Sequence, residues 1–416
     1  MTSGSALARL RHSLLLATCI AAAAHAPAAA DTRTEVRVSA GVGVENNPYL
    51  AMPDDGDDAA FAAEIEVEPS IYIEDERTTF RLYGNARLRQ FLQDYGTTYS
   101  ILLGAGGSTR IDERTRLTSG ATFQTSRSAA QDAFLFGRSD LIALEPGELP
   151  IFPDIDPTIA GTRERTTRFG VDANVDRQLS PRDSASLGLA FAESHTSGDV
   201  GFDYRVADLT LGYGRQLDER TTLRGTVALT RSDLLERTAG DAISITPLVG
   251  LQQQVSERLN WTGQVGLSWS RIDDGLGGDI TNTSLAFLFN ACRRDARGAL
   301  CLTAQRQPRP TTFGGFSNST AISVGYDTML SQRDSIGVNA TYRKSDEISS
   351  AVLPGVEISE SDELIGLGAS YRRAFTDRLS GFVNGSYSKV YSDLFPDREA
   401  NISLYAGVSY VFGRRR

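Results

Sequence analysis

Two segments of the sequence carry charged side chains at alternate positions, first acidic and then basic. The six residues are Glu64, Glu66, Glu68, Arg81, Arg87 and Arg89. Residues two apart on a β-strand point to the same face, so each segment presents a charged face. A four-residue turn at 74–77 would set Glu64 opposite Arg87 and Glu66 opposite Asn85. Such faces either neutralise each other as a cross-strand ladder or, where they line a passage, select solutes by charge.

A possible nucleophile and base lie close together in the sequence. His195 precedes Ser197 by two residues, and on a strand their side chains would share a face, so the histidine could activate the hydroxyl. The sequence contains no HExxH, no CxxC, no Walker loop and no GxSxG motif. We therefore expect a protein that is not an enzyme and needs no metal or cofactor, with His195 exposed at a strand end.

Cys292 and Cys301 enclose the short polar segment 293–298. An oxidising compartment and facing positions on adjacent strands favour a disulfide that staples this turn, and two unpaired thiols are the alternative. The remaining cysteine, Cys19, belongs to an N-terminal segment that we interpret as a signal peptide at residues 1–30. That segment has Arg9 and Arg11, a short apolar stretch and a small-residue cleavage site before Asp31. A lipoprotein signal ending at Cys19 is the alternative.

Composition narrows the class of protein. The 416 residues are 40% apolar and 23% charged, with a formal net charge of −10, so nucleic acid is an improbable partner. Mean hydropathy is −0.23, and no apolar run after residue 30 reaches the ~18–20 residues of a membrane-spanning helix. Alternating strands can still cross a membrane, because their hydropathy averages to a mildly polar value.

Alternation with period two runs through almost the whole chain from residue 31. One example is Ile402, Leu404, Ala406, Val408, Tyr410 and Phe412. The pattern predicts eighteen strands, the weakest at 299–306, with local bulges at Pro69 and Pro247.

The connections between these strands alternate between short polar turns, often Asp-Glu-Arg-Thr, and longer irregular loops. This asymmetry is typical of a transmembrane antiparallel up-and-down β-barrel, with periplasmic turns and extracellular loops. We therefore predict an all-β fold with one outer-membrane barrel domain at 31–416, surrounded by outer-membrane lipid. A soluble all-β protein is the alternative, but it leaves the asymmetry of the loops without a cause.

The connection at 127–163 is the longest and combines apolar groups with acids. The acidic residues are Asp132, Asp140, Glu145, Glu148, Asp154 and Asp156. A structureless loop of this length is uncommon unless it is functional. It could fold into the lumen as a constriction, pack across the mouth of the barrel, or dock a partner.

The whole-chain organisation resembles the beta-barrel porin 2 family of Gram-negative bacteria. The carrying residues are Gly41-Val42-Gly43-Val44-Glu45-Asn46-Asn47 and the recurrent Asp-Glu-Arg-Thr turns. The resemblance implies an outer-membrane barrel and, for some members, an association with exopolysaccharide export. Gly407-x-x-Tyr410-x-Phe412 is similar to the C-terminal signal read by the outer-membrane assembly machinery, although Gly413 and three arginines follow here.

Three functions remain open from the sequence. The first is a passive pore for hydrophilic solutes, and the second is a barrel component of surface exopolysaccharide export or envelope assembly. The third is remote. His195-Thr196-Ser197-Gly198 is similar to the H-x-S segment of outer-membrane phospholipases, which implies lipid hydrolysis. The flanking Asn-Gly of that motif is absent, and the phospholipases have fewer strands.

Overall fold

The structure, a computed structural model, consists of β-strands joined by turns and loops. It describes residues 31–50, 59–92, 95–127, 164–198, 203–235, 241–273, 278–311, 315–350, 361–392 and 398–413. The predicted signal segment 1–30 lies outside these ranges. In the described residues no helix is long and apolar enough to cross a membrane.

Within the described residues, eighteen strands form a single sheet. In chain order β1 to β18 they are Asp31–Glu45, Ala60–Glu74, Thr78–Phe91, Thr97–Arg110, Thr115–Ser126, Thr166–Gln178, Asp183–Thr196, Tyr204–Gln216, Thr221–Leu234, Ala242–Gln254, Leu259–Asp273, Asp279–Asp295, Gly298–Pro310, Gly315–Met329, Asp334–Ser350, Ser361–Ala374, Leu379–Ser392 and Asn401–Gly413.

The sheet closes on itself. Every strand pairs antiparallel with its neighbour in sequence, and β1 pairs with β18 from Glu35↔Gly413 to Glu45↔Ser403. The predicted eighteen-stranded antiparallel barrel is therefore confirmed. Short turns lie at one rim and longer connections at the other, and Asp31 begins at the turn rim, where it pairs with Glu74. The weakest predicted strand is also present and is longer than expected, since β13 spans Gly298–Pro310.

Alternation divides each strand between the lipid side and the lumen. On β11, Leu267 is 56% exposed and points outward, whereas Gln264 is 7% exposed and points inward. The outward positions of the other strands are likewise mostly Leu, Val, Ile and aromatic residues, and many of these are exposed. This apolar surface encircles the barrel and is far larger than the patches that soluble monomers expose.

The predicted bulges at the two prolines are wrong. Pro69 and Pro247 each interrupt the ladder with one neighbouring strand, but the register is the same on both sides of each proline. A missing N–H removes one hydrogen bond without inserting a residue. Among the strands that the structure describes, the register shifts instead between Phe316 and Ser317, opposite β15.

The recurrent turns close through their aspartates. In the turn at 111–114, Asp112 Oδ1 accepts the backbone N–H of Arg114 at 2.7 Å, and this bond lowers the pKa of the carboxyl below its usual value. In the equivalent turn after β8, Asp218 Oδ1 accepts the N–H of Arg220 at 2.8 Å, with the same effect on its pKa. In each turn the aspartate therefore accepts the backbone N–H of the residue two positions later, which the short turn would otherwise leave without a partner.

Candidate functional site

The acidic and basic segments lie side by side on β2 and β3 and face the lumen, but their register differs from the prediction. Glu64 pairs with Arg89, and Glu66 pairs with Arg87. The cause is the turn, which is shorter than the four residues assumed. The N–H of Asp75 donates to the carbonyl of Thr78 at 2.8 Å, so the ladder extends closer to the turn and the pairing moves by two residues.

Arg89 is the centre of a buried ionic cluster on the inner wall. Its guanidinium donates to Glu45 at 2.9 Å and to Glu64 at 2.7 Å, and the arginine is 3% exposed. Arg87 donates to Glu66 at 2.5 Å. The close contacts pair opposite charges, which is the arrangement of a self-neutralising ladder.

The remaining charges of the two segments, Glu68 and Arg81, lie nearer to the turn. Glu68 is bound by Arg37 of β1 at 3.3 Å. Arg81 is nearer to the turn, where its guanidinium lies 5.4 Å from the ring centroid of Tyr83. The structure therefore brings together Glu64, Glu66, Arg87 and Arg89, and Asn85 donates to both Glu66 and Glu68.

Sequence reasoning missed Glu45, which joins the cluster from the end of β1. Its carboxylate accepts hydrogen bonds from Tyr405 Oη at 2.9 Å and from Asn401 Nδ2 at 3.0 Å, both on β18. The ring of Tyr405 has room because residue 43 is a glycine, where a Cβ would lie 2.5 Å from that ring. The sequence pattern that could have indicated this role is the alternation of Gly41, Gly43 and Glu45, which places Glu45 on the inward face of β1 after two glycines.

The next two residues extend the contact between the first and last strands. Asn46 Oδ1 accepts the N–H of Ile402 at 2.6 Å, and Asn47 Nδ2 donates to the carbonyl of Glu399 at 3.2 Å. Asn47 has a φ of 43°, which asparagine tolerates better than most residues. We call Glu45, Asn46, Asn47, Asn401 and Ile402 the seam clasp.

The opposite inner wall is polar but largely uncharged, which sequence reasoning also missed. Register places the following inward residues in one row across five strands: Asp208, Thr230, Ser244, Ser270 and Asn282. In the adjacent row Thr246 and Ser268 share a hydrogen bond of 2.8 Å. Exposure falls along β11 from Asn260, which is exposed at the turn end, to Ser268 and Ser270, which are fully buried. Because the residues of these two rows are mostly Ser, Thr and Asn, hydroxyl and amide groups dominate the loop half of this wall.

The other predicted site residues have varied positions. Cys292 and Cys301 pair across β12 and β13 and form a disulfide beside the turn at 296–297. The six acids of the expected constriction loop, Asp132, Asp140, Glu145, Glu148, Asp154 and Asp156, lie outside the described residues.

His195 and Ser197 bind different partners. The two ring nitrogens of His195 lie 2.6 Å from carboxylate oxygens of Glu193 and Asp203. Ser197 Oγ accepts the backbone N–H of Arg165 at 2.7 Å. The histidine ring therefore faces carboxylates on both sides, and its nitrogens are not directed at the serine hydroxyl. This geometry does not support the lipid-hydrolase interpretation.

Charged rows bound the outer apolar surface at both ends. Outward-facing Glu193 and Arg205 pair at the loop end of β7 and β8, and Asp183 and Arg215 pair ten residues away at the turn end. On β15 and β16 the equivalent pairs are Lys344↔Glu363 and Asp334↔Arg373, again ten residues apart.

The distance between the rows fits a bilayer. Ten residues at ~3.4 Å each, tilted by ~40°, span about 26 Å along the barrel axis. The outward positions between the rows are apolar or aromatic, for example Leu187, Leu189 and Phe191 on β7. This height matches the ~25 Å apolar band of membrane barrels.

Comparison with solved structures finds outer-membrane proteins and transporters at low sequence identity. OccK2 (OpdF) of Pseudomonas aeruginosa in complex with glucuronate aligns with a TM-score of 0.43 and 10% identity over 92% of this chain and 99% of that one. A BenF-like porin of Pseudomonas fluorescens gives 0.42 and 11% over 92% and 99%. The FrpB iron transporter of Neisseria meningitidis gives 0.43 and 8% over 92% and 83%.

The sequence comparisons give no match. No family model matches this sequence, and no curated protein sequence matches it.

Proposed function

We propose that this chain is an outer-membrane channel through which small hydrophilic solutes diffuse passively. The observation that carries the proposal is the closed eighteen-stranded barrel with an apolar outer band between charged rows and a polar inner wall. Barrels of 16–18 strands are wide enough for an aqueous passage. Diffusion through such a passage requires no cofactor and no catalytic group.

The proposal includes the route to the membrane. Residues 1–30 would direct export and be removed, and β18 would present its outward Tyr410 and Phe412 to the outer-membrane assembly machinery. The rings of these residues lie 4.7 Å apart at the turn end, which supports a combined aromatic signal. We also propose that the chain belongs to the beta-barrel porin 2 family, which its repeated turns and its Gly-Val-Gly-Val-Glu-Asn-Asn segment support.

Single-channel recording in planar bilayers tests the proposal. The purified barrel should produce stepwise, ohmic conductance, and Thr210→Lys should shift the reversal potential towards anions. Thr210 faces the lumen between Gly188 and Ala228, so a lysine there has space and lies along the passage. Arg205→Gln, on the outer face, is the matched control and should leave the reversal potential unchanged. Absence of conductance steps from folded, inserted protein would refute the channel.

A second candidate is a barrel component of exopolysaccharide export. The half-exposed inward row of Thr222, Gln252, Thr262 and Asn290 favours it, because polyhydroxylated chains hydrogen-bond to such hydroxyl and amide groups without needing charge. An oligosaccharide added during recording distinguishes the two. Reversible, concentration-dependent block would support a carbohydrate passage, and block that depends only on solute size would support the general channel.

A further inference from the structure

A network of charged side chains faces outward at the loop end of β13–β17. Register places Arg306, Thr320, Lys344, Glu363 and Tyr391 in one row across these five strands. Arg306 donates to Thr320 at 2.9 Å and to Asp346 at 3.2 Å. Lys344 Nζ lies 3.2 Å from Asp346 and 3.3 Å from Glu363.

These side chains point away from the lumen. Val338 shares the face of Lys344 on β15 and is 47% exposed, and Leu367 shares the face of Glu363 on β16 and is 48% exposed. The charged side chains are about one-third exposed, at 32% for Lys344 and 33% for Glu363. These side chains therefore form a hydrogen-bonded network on the outer surface, and the network is accessible from outside the barrel.

A second lysine extends this network towards the apolar band. Lys389 lies in the next row, beside Ile365, and its ammonium is 5.0 Å from the ring centroid of Tyr391. Lys344 and Lys389 are the only lysines in the sequence. We call Arg306, Lys344, Asp346, Glu363 and Lys389 the basic patch, because three cations accompany two carboxylates.

The loop end of β8–β12 has a different balance, because Asp273, which pairs with Asp279, brings its carboxylates to three against three arginines. There Arg205 and Arg231 share the carboxylate of Asp233, and Arg271 is bound by Asp279. Arginine paired with carboxylate is a fixed arrangement, whereas the ammonium of Lys344 has three donors and its two carboxylates take two of them. The basic patch thus retains capacity for a further anion.

The position of the basic patch along the barrel axis indicates which anion lies next to it. Lys344 and Glu363 form the loop-side charged row, ten residues from Asp334 and Arg373. This row marks the boundary between hydrocarbon and lipid headgroups, and the longer loops place it in the outward leaflet. The outward leaflet of an outer membrane consists of glycolipid whose headgroup carries phosphates, and phosphates accept charge-assisted hydrogen bonds from ammonium and guanidinium groups.

We propose that the basic patch binds the phosphate groups of an outer-leaflet glycolipid. The inference rests on the proposed membrane location but not on passage of solutes through the lumen. Arg306 and Lys344, held in place by Asp346 and Glu363, would contact one phosphate from the loop side. Lys389 would contact the headgroup from the membrane side, with its stem along the ring of Tyr391.

Binding of purified lipid A to the folded barrel in detergent tests this proposal. Native mass spectrometry should detect complexes with bisphosphorylated lipid A, and the double variant K344Q/K389Q should bind it about tenfold or more weakly, a difference of about 1.4 kcal/mol. The matched control is R258Q/R293Q, which removes two cations from the turn end, where Asp295 pairs with both arginines. This control should bind within about twofold of the unaltered protein.

Two further probes define the ligand. Lipid A without phosphates and phosphatidylglycerol should both bind more weakly than bisphosphorylated lipid A. Equal affinity of the unaltered protein and K344Q/K389Q, or equal binding of dephosphorylated lipid A, would overturn the proposal. Equal binding of phosphatidylglycerol would also overturn it, because the patch would then recognise any anionic lipid.

Folding and function are controlled separately. Heat-modifiable migration on gels reports whether each variant is folded. If K344Q/K389Q does not fold, displacement of lipid A from the unaltered protein by inorganic phosphate gives the same comparison, and failure of phosphate to compete would overturn the proposal. Conductance distinguishes the two inferences, since a barrel that conducts but ignores lipid A phosphates refutes only the lipid site.

Discussion

Leu189→Lys should destabilise the barrel by an amount set by its depth in the membrane. Leu189 is 56% exposed on the outer face of β7, four residues from Glu193 and six from Asp183. Four residues place it about 10 Å below the loop-side charged row. A four-carbon lysine stem does not bring its ammonium to the headgroups from that depth. The expected cost is about 2–4 kcal/mol, or roughly 30- to 1000-fold in the folding equilibrium.

The assay is reversible urea unfolding in phospholipid vesicles, followed by the fluorescence of Trp261 and Trp269. Thr210→Lys is the control, because Thr210 faces the lumen in the row next to the pair Leu189↔Leu209. A lysine there stays hydrated, and the expected change is below about 1 kcal/mol. Equal costs for the two variants would show that the assignment of inner and outer faces is wrong.

Three other predictions concern the buried cluster, the disulfide and the turns. Arg89→Met should cost about 3–5 kcal/mol in urea unfolding, because it leaves the carboxylates of Glu45 and Glu64 buried without that partner, while exposed Arg81→Met should cost far less. Replacing Cys292 and Cys301 by serine should lower unfolding free energy by about 2–3 kcal/mol, since the disulfide closes a short loop, and mass mapping of unreduced protein that finds two free thiols would contradict this. The lowered pKa of Asp112 implies stability that is present above the unfolded-state pKa of about 3.9 and is lost as pH falls through the folded pKa. The stability of Asp112→Asn should therefore change less than that of the unaltered protein below pH ~4, and parallel pH curves would refute the assignment.

Most of the architecture could be predicted from the sequence because lipid and water impose opposite demands on alternate residues. That alternation predicts which side chains of β2 and β3 face inward, including Glu64 and Arg89. It was weaker in β13, where Pro308 and Pro310 obscure the pattern, and the predicted strand at 299–306 is shorter than the observed one. Pairing with β14 continues to Pro310, which the local sequence does not indicate.

The partners within the inner wall could not be predicted as well. The pairing of Glu64 with Arg89 follows from the length of the turn between β2 and β3, which the hydrogen bond from Asp75 to Thr78 closes. The turn sequence Asp75-Glu76-Arg77 is compatible with more than one length, so it does not determine this pairing. The partners of Glu45 lie on β18, at the other end of the chain, so no local pattern relates them. The positions of Pro69 and Pro247 are compatible with either a bulge or a single lost bond, and only the register distinguishes these outcomes.

The seam clasp has a consequence for the order in which the barrel assembles. It joins residues 356 positions apart in the chain, as in Asn46 and Ile402, and closing a flexible loop of that length costs about 5 kcal/mol. Until β18 is in place, β1 and β17 each present an unpaired edge, and hydrocarbon provides no hydrogen-bonding partner for it. Insertion is therefore cooperative. A chain that stops before β18 exposes two edges to other unfinished barrels or to proteases, and the step that removes both edges is the one that brings Asn46 to Ile402.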